Sequence, residues 1–209
     1  VMKCKVTSYI ACFLFLLLCV PAKGQLNFKK IYTPDSLTVT DIGLFSAEEV
    51  IYTGIPGREL AVTGYITGSD TSGYSLQSAY LLQLSEDGDP MMFSHYYDTS
   101  FLFYPGARGY GACYDDNGHF YLTIGTNDNC VLIKTDTMGN LLWTTDGGHH
   151  DYYGVTYRNG TLAVLGQNES FTGAHDYSIT QVDEAGASST PDMMYGTIGF
   201  DVPTAMANT

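Results

Sequence analysis

The feature that most constrains this chain is a short phrase in which two apolar runs flank a polar turn. Residues 130–143 contain one apolar run, then the turn 136–140, then a second apolar run that ends at Trp143. Gly139 stands at the turn position where a positive φ is needed. The phrase predicts a β-hairpin, because apolar runs on both sides of turn residues are typical of paired strands.

The phrase recurs, and its spacing predicts a repeated unit with two hairpin turns. Two sets of turn glycines mark the repeat: Gly88, Gly139 and Gly186, and then Gly57, Gly118 and Gly160. The first set is spaced by 51 and 47 residues and the second by 61 and 42. The uneven steps fall in loops, where insertions have a low entropic cost. Four strands in a unit of roughly 40 to 50 residues are typical of a β-propeller blade.

We therefore predict an all-β chain, a β-propeller-like array of about three four-stranded antiparallel blades over residues 25–209. Strands are expected at 49–52, at 59–65 and in the corresponding positions of the later passes, with polar loops at 67–75 and 167–175. A β-sandwich would not need the same turn phrase at near-equal steps. A parallel β-solenoid would have a shorter period and no paired hairpins.

The predicted array is incomplete. A strand at 26–33 resembles an outermost strand, and a fourth pass begins near 200–202. Three blades and a remnant do not close the usual ring of roughly 4 to 8 blades. We expect a fragment of a longer chain, with subunits that complete one another through open blade edges as the alternative.

The N-terminus predicts a secretory signal peptide over residues 1–24. Two lysines precede an apolar run at 9–20, and Ala22 and Gly24 are the small residues before the expected cleavage site. The run is shorter than the roughly 20 residues that cross a bilayer, so no membrane span is predicted. A lipid anchor at Cys19 is less favoured, because the preceding Leu18 is large. We expect a secreted, cell-surface or periplasmic protein.

The charge of the chain argues against a nucleic-acid partner. The formal net charge is −13. Three of the nine basic residues lie in the predicted signal peptide, which leaves 6 basic against 22 acidic side chains. Such a surface repels phosphate backbones and anionic lipid.

Two cysteines remain after the signal peptide, Cys113 and Cys130. Two cysteines do not make a disulfide scaffold. One disulfide bond is compatible with an exported protein. Packing of both thiols as small apolar groups is the alternative.

Aromatic residues in and beside two predicted inter-blade loops are the candidate ligand-binding residues: Tyr96, Tyr97, Tyr104, Tyr110, Tyr152 and Tyr153. Exposed aromatic rings stack on sugars or grip peptides. Packing between blades is the alternative role.

The candidate metal ligands are His149, His150 and Asp151, a residue set suited to zinc. Adjacent strand residues point to opposite faces, so these two histidines chelate together only in a loop. The acidic turns at 85–89 and 136–140 offer oxygen ligands for calcium, although Asp and Asn favour turns for backbone reasons alone. We predict no cofactor, with zinc or calcium as alternatives.

The residues of 131–143 and 154–166 resemble the blade repeat of secreted bacterial β-propellers, of the type exported by Bacteroidetes. The resemblance implies a fold and an extracellular setting. The motifs of serine hydrolases, P-loop proteins and zinc proteases are absent from the sequence. We expect an exported, non-enzymatic scaffold that binds a protein or glycan at the cell envelope. The alternatives are a glycan-active hydrolase or lyase and a purely structural repeat segment.

Overall fold

The computed structural model describes residues 38–50, 59–69, 75–96, 107–125, 130–146, 151–169, 175–188 and 193–195. The chain divides into two compact units, Val1–Ile31 and Tyr32–Thr209, and every described residue belongs to the second. The predicted signal peptide, the strand at 26–33 and the fourth pass near 200–202 lie outside the described residues.

The described residues form strands and turns, and no helix occurs among them. The strands are β1 (Thr38–Val50), β2 (Glu59–Ser69), β3 (Ser75–Leu84), β4 (Pro90–Tyr96), β5 (Arg108–Tyr114), β6 (Phe120–Gly125), β7 (Cys130–Thr135), β8 (Leu141–Asp146), β9 (Asp151–Arg158), β10 (Thr161–Glu169), β11 (His175–Asp183) and β12 (Met193–Tyr195).

These strands pair in chain order into three antiparallel sheets of four strands. The orders are β1-β2-β3-β4, β5-β6-β7-β8 and β9-β10-β11-β12. The all-β class and the four-stranded antiparallel unit are therefore confirmed. The five described glycines used to mark the repeat all have φ between +76° and +88°: Gly88, Gly118, Gly139, Gly160 and Gly186.

The first strand differs from the prediction. β1 runs over Thr38–Val50, whereas the sequence pattern placed a strand at 49–52. Register shifts between Val39 and Asp41, and between Leu44 and Ser46, interrupt the alternation of inward and outward side chains. Two predicted loops are also shorter, because β2 continues to Ser69 and β10 to Glu169.

The sheets pack in sequence through their first strands. β5 contacts β1, β2 and β3 of the first sheet, and β9 contacts β5, β6 and β7 of the second. Leu81 of the first sheet and Phe120 of the second share one apolar cluster and are fully buried. Leu132 of the second sheet and Leu162 of the third share another. Each interface between sheets is therefore a continuous apolar layer.

Glycines allow this close approach. A Cβ on Gly111 of β5 would lie 2.8 Å from Gly154 Cα and 3.1 Å from the Val155 nitrogen on β9. A Cβ on Gly109 would collide with Thr63 of β2. Gly111 thus lets the backbones of β5 and β9 meet without an intervening side chain, and Gly109 leaves room for the Thr63 side chain of β2.

Hydrogen bonds from the fourth strand of one sheet to a turn of the next sheet also connect the sheets. The Tyr96 hydroxyl on β4 donates to the Gly139 carbonyl in the β7–β8 turn at 2.9 Å. In the next interface, Trp143 Nε1 on β8 donates to the Glu184 carbonyl at 3.0 Å, in the β11–β12 turn. Trp143 also packs against the buried cluster between these sheets.

Cys113 and Cys130, the two described cysteines, are buried thiols, and no disulfide bond joins them. Cys130 Sγ accepts a hydrogen bond from the Tyr152 backbone N–H at 3.0 Å. Burial raises the pKa of the Cys113 thiol well above its usual value. Both residues therefore pack as small apolar side chains, the second of the two roles considered above.

The contact at Gly111 predicts a strong substitution effect. Gly111→Val places a branched side chain where backbone atoms of β9 already lie. We expect the free energy of unfolding to fall by about 1–3 kcal/mol or more, the usual cost of overpacking. Urea unfolding monitored by Trp143 fluorescence measures this change. Leu142→Ala on the exposed side of β8 is the control and should stay within about 0.5 kcal/mol. Equal stability of the two variants would contradict the close approach.

Candidate functional site

Each sheet has a β-bulge in its first strand at which the skipped residue is aromatic, and β1 has a second irregularity between Val39 and Asp41. The pairing of β1 with β2 skips Phe45, that of β5 with β6 skips Tyr110, and that of β9 with β10 skips Tyr153. A bulged residue leaves the regular alternation and its side chain is re-aimed. The same local irregularity thus presents one ring from each of the three sheets.

The three bulged rings and Tyr65 of β2 form a continuous series of ring contacts, which we call the aromatic row. Ring centroids are 5.7 Å apart for Tyr65 and Phe45, 5.1 Å for Phe45 and Tyr110, and 5.7 Å for Tyr110 and Tyr153. The rings are tilted by 45° to 53°. Phe45 is 45% exposed, and the three tyrosines are partly exposed. The row therefore reaches the surface across all three sheets.

The rings of the row are held in place by their neighbours. Tyr65 packs over Gly43, and Tyr110 packs over Gly125, in positions that a Cβ would occupy. The Tyr153 hydroxyl donates to Gln167 Oε1 at 2.9 Å. Fixed rings lose little conformational entropy when a ligand binds.

Polar groups surround the Tyr65 end of the row. The Tyr65 hydroxyl donates to Asp41 Oδ2 at 3.0 Å. This hydrogen bond and the carboxylate charge raise the pKa of Tyr65, so its phenol stays protonated. Arg108 lies over the same ring, with Cζ 5.6 Å from the centroid, and its Nε donates to Gln77 Oε1 at 3.4 Å.

The structure separates the predicted aromatic residues. Tyr110 and Tyr153 belong to the row. Tyr152 is 5% exposed in the core between the second and third sheets. Tyr96 packs between the first and second sheets, and burial raises its pKa to about 12. The described tyrosines lie in strands, whereas the sequence placed them in and beside loops; Tyr97 and Tyr104 are outside the described residues.

Sequence reasoning missed Phe45 and Tyr65. A usable signal exists, because each bulged aromatic is followed by a small residue: Ser46, Gly111 or Gly154. An alignment of the three first-strand sequences on these residue pairs places Phe45 at the same repeat position as Tyr110 and Tyr153. Tyr65 has no such signal, since it is a regular strand residue that reaches the row only through the fold.

Of the three residues predicted to bind a metal, the structure describes one. His149 and His150 are outside the described residues, and Asp151 is the first residue of β9. Within the described ranges, no group of three or more His, Cys, Asp and Glu side chains is placed to hold a metal ion. In the turn proposed for calcium, Asp136 Oδ1 accepts hydrogen bonds from the backbone N–H groups of Met138 and Asn140, both at 2.8 Å. That carboxylate closes its own turn.

A second polar cluster is buried in the middle sheet. Asp115 is 2% exposed, and its Oδ2 accepts hydrogen bonds from His119 Nδ1 at 2.8 Å and from the Tyr121 hydroxyl at 3.0 Å. Lys134 Nζ lies 3.5 Å from the same oxygen and 4.9 Å from the Tyr121 ring centroid. Tyr121 stacks on Tyr157 of the third sheet. The cluster links the β5–β6 turn to the interface with that sheet.

The Asp115 cluster predicts a large effect of one substitution. Asp115→Ala leaves the Lys134 ammonium buried without its carboxylate. We expect a loss of about 3–5 kcal/mol in the free energy of unfolding, as for other broken buried pairs. Asp116→Ala, in the exposed part of the same turn, is the control and should change it by about 0.5 kcal/mol or less. Equal losses in both variants would show that Asp115 acts only as a turn residue.

Asp115 also predicts a pH dependence. Burial by itself raises the pKa of its carboxyl, but hydrogen bonds from His119, Tyr121 and the Asn117 backbone outweigh burial and lower it. Because the pKa of Asp115 is lower in the folded state, its ionised carboxylate stabilises the fold at pH values above the unfolded-state pKa of about 3.9. This stabilisation is lost as the pH falls through the folded-state pKa. Below about pH 4, the free energy of unfolding measured with urea should therefore fall more steeply with decreasing pH for the native chain than for Asp115→Asn. Parallel curves would contradict this assignment.

The described residues include no helix of the length and apolar character that crossing a membrane requires.

Comparison with known proteins gave no relative. A scan against protein-family models and a search of curated proteins found no match to this chain. Its function is therefore inferred from its own residues.

Proposed function

We propose that this protein is an exported, non-enzymatic scaffold of β-propeller type that binds a glycan along the aromatic row. The single observation that carries the proposal is the series of ring contacts across three sheets made by the bulged residues Phe45, Tyr110 and Tyr153. Packing alone does not require a bulged aromatic ring that is at least partly exposed in each of the three first strands.

The chemistry of the row favours a glycan over a flat protein partner. The apolar C–H faces of sugar rings pack on aromatic rings, and their hydroxyls need hydrogen-bonding groups at the rim. Asp41 and Gln77 are polar groups beside the row that are exposed or partly exposed. Ring spacings of 5.1 to 5.7 Å suit successive contacts along an extended chain.

The blade arrangement has its own support. Each later sheet places its first strand on the preceding sheet. The contact between a fourth strand and the next sheet's turn also recurs, first at Tyr96 and Gly139 and then at Thr145 and Gly186. Repetition of one interface generates the regular rotation of a propeller or an open array of blades.

Alanine variants of the row test the binding role. Phe45→Ala and Tyr153→Ala should each weaken binding to a glycan found on an array by about fivefold or more, since aromatic anchors commonly contribute over about 1 kcal/mol. Leu44→Ala is the control, because Leu44 is 62% exposed on the same strand and lies outside the row. Titration calorimetry gives the Kd values, and thermal unfolding shows that each variant is folded.

Two results would contradict the proposal. One is the absence of binding to every class of glycan on the array. The other is glycan binding that Phe45→Ala and Tyr153→Ala leave unchanged, which would place the ligand elsewhere on the protein.

A further inference from the structure

Arg108 is the first residue of β5 and lies at the Tyr65 end of the aromatic row. Its guanidinium carbon is 5.6 Å from the Tyr65 ring centroid. Its Nε donates to Gln77 Oε1 at 3.4 Å, and Gln77 Nε2 donates to Thr67 Oγ1 at 3.4 Å. The aromatic ring and this chain of hydrogen bonds orient an exposed cation next to the proposed binding surface.

Arg108 stands out against the charge of the protein. The formal net charge is −13. The Lys and Arg residues within the described part of the chain are Arg108, Lys134 and Arg158. Lys134 is buried beside Asp115, and Arg158 is exposed next to the β9–β10 turn. Of these three, Arg108 is the one that contacts a ring of the row.

We propose that the aromatic row binds a carboxylate-bearing glycan, with the acid group held by Arg108. This inference rests on the proposed function and adds the ligand class. A guanidinium is a planar fork that matches a carboxylate through two parallel hydrogen bonds. Its Nε donates to Gln77, and we assign the two terminal amino groups as the donors to the carboxylate. The sugar rings stack on the row while the carboxylate pairs with Arg108.

The acidic surface makes this recognition selective. Long-range repulsion from the net charge disfavours loose binding of polyanions. Asp41 lies at the same end of the row, and its oxygens accept the Tyr65 hydroxyl at 3.0 Å and the Ile42 N–H at 2.9 Å. A ligand therefore gains affinity from its acid group only when that group meets the Arg108 fork directly.

The test uses the full chain with otherwise neutral oligosaccharides that carry a single uronic acid, and with the same oligosaccharides methyl-esterified at that carboxyl group. We expect the acid forms to bind roughly tenfold or more tightly, the usual scale for a charged hydrogen-bonded contact. Arg108→Gln should remove this difference by weakening the binding of the acid forms to the level of the ester forms. Arg158→Gln makes the same charge change at another exposed site and should alter neither.

The outcomes separate this inference from the proposed function. Equal binding of acid and ester forms, or unchanged acid binding by Arg108→Gln, overturns the carboxylate assignment. If Phe45→Ala weakens both forms in that case, the row remains a glycan site. Equal binding of sulfated glycans also overturns the carboxylate class. Binding of no glycan at all overturns both proposals.

Discussion

The structure depends on the close approach of the first strands of neighbouring sheets. Gly111 on β5 faces Gly154 on β9 so closely that a Cβ would lie 2.8 Å from the Cα atom opposite. This backbone contact limits how the second and third sheets can be placed relative to each other. The apolar layers of the two interfaces, with Leu81 and Phe120 in one and Leu132 and Leu162 in the other, then fill the space between the sheets.

The same first strands connect packing to function. A bulge re-aims one side chain, and the close approach brings the re-aimed rings of adjacent strands within 5.1 to 5.7 Å of each other. Phe45 and Tyr110 therefore meet because their strands meet. The rings are held by their neighbours, because Tyr110 packs over Gly125 and the Tyr153 hydroxyl donates to Gln167 Oε1. Its polar end, at Arg108 and Asp41, supplies the groups that distinguish one ligand from another.

Sequence patterns predicted the hairpin units well, because turn chemistry is local. Gly139 has a positive φ that the turn itself requires, independently of how the flanking strands pack. The Asp136 carboxylate accepts a backbone hydrogen bond within the same turn. The patterns failed at β1, where two bulges break the period of two on which strand prediction depends. They also treated Tyr110 and Tyr152 alike, although one ring is partly exposed in the row and the other is 5% exposed in the core.

The sequence by itself determined the all-β class, the four-stranded antiparallel unit and the positions of the described turns, because glycine, asparagine and aspartate act within a few residues of chain. The tertiary structure decided which aromatic residues share a surface. Phe45 and Tyr110 are 65 positions apart, and Tyr65 lies on a different strand from both. Their meeting follows from bulge positions and from the packing of one sheet on the next, which are non-local and leave only a weak mark in the sequence.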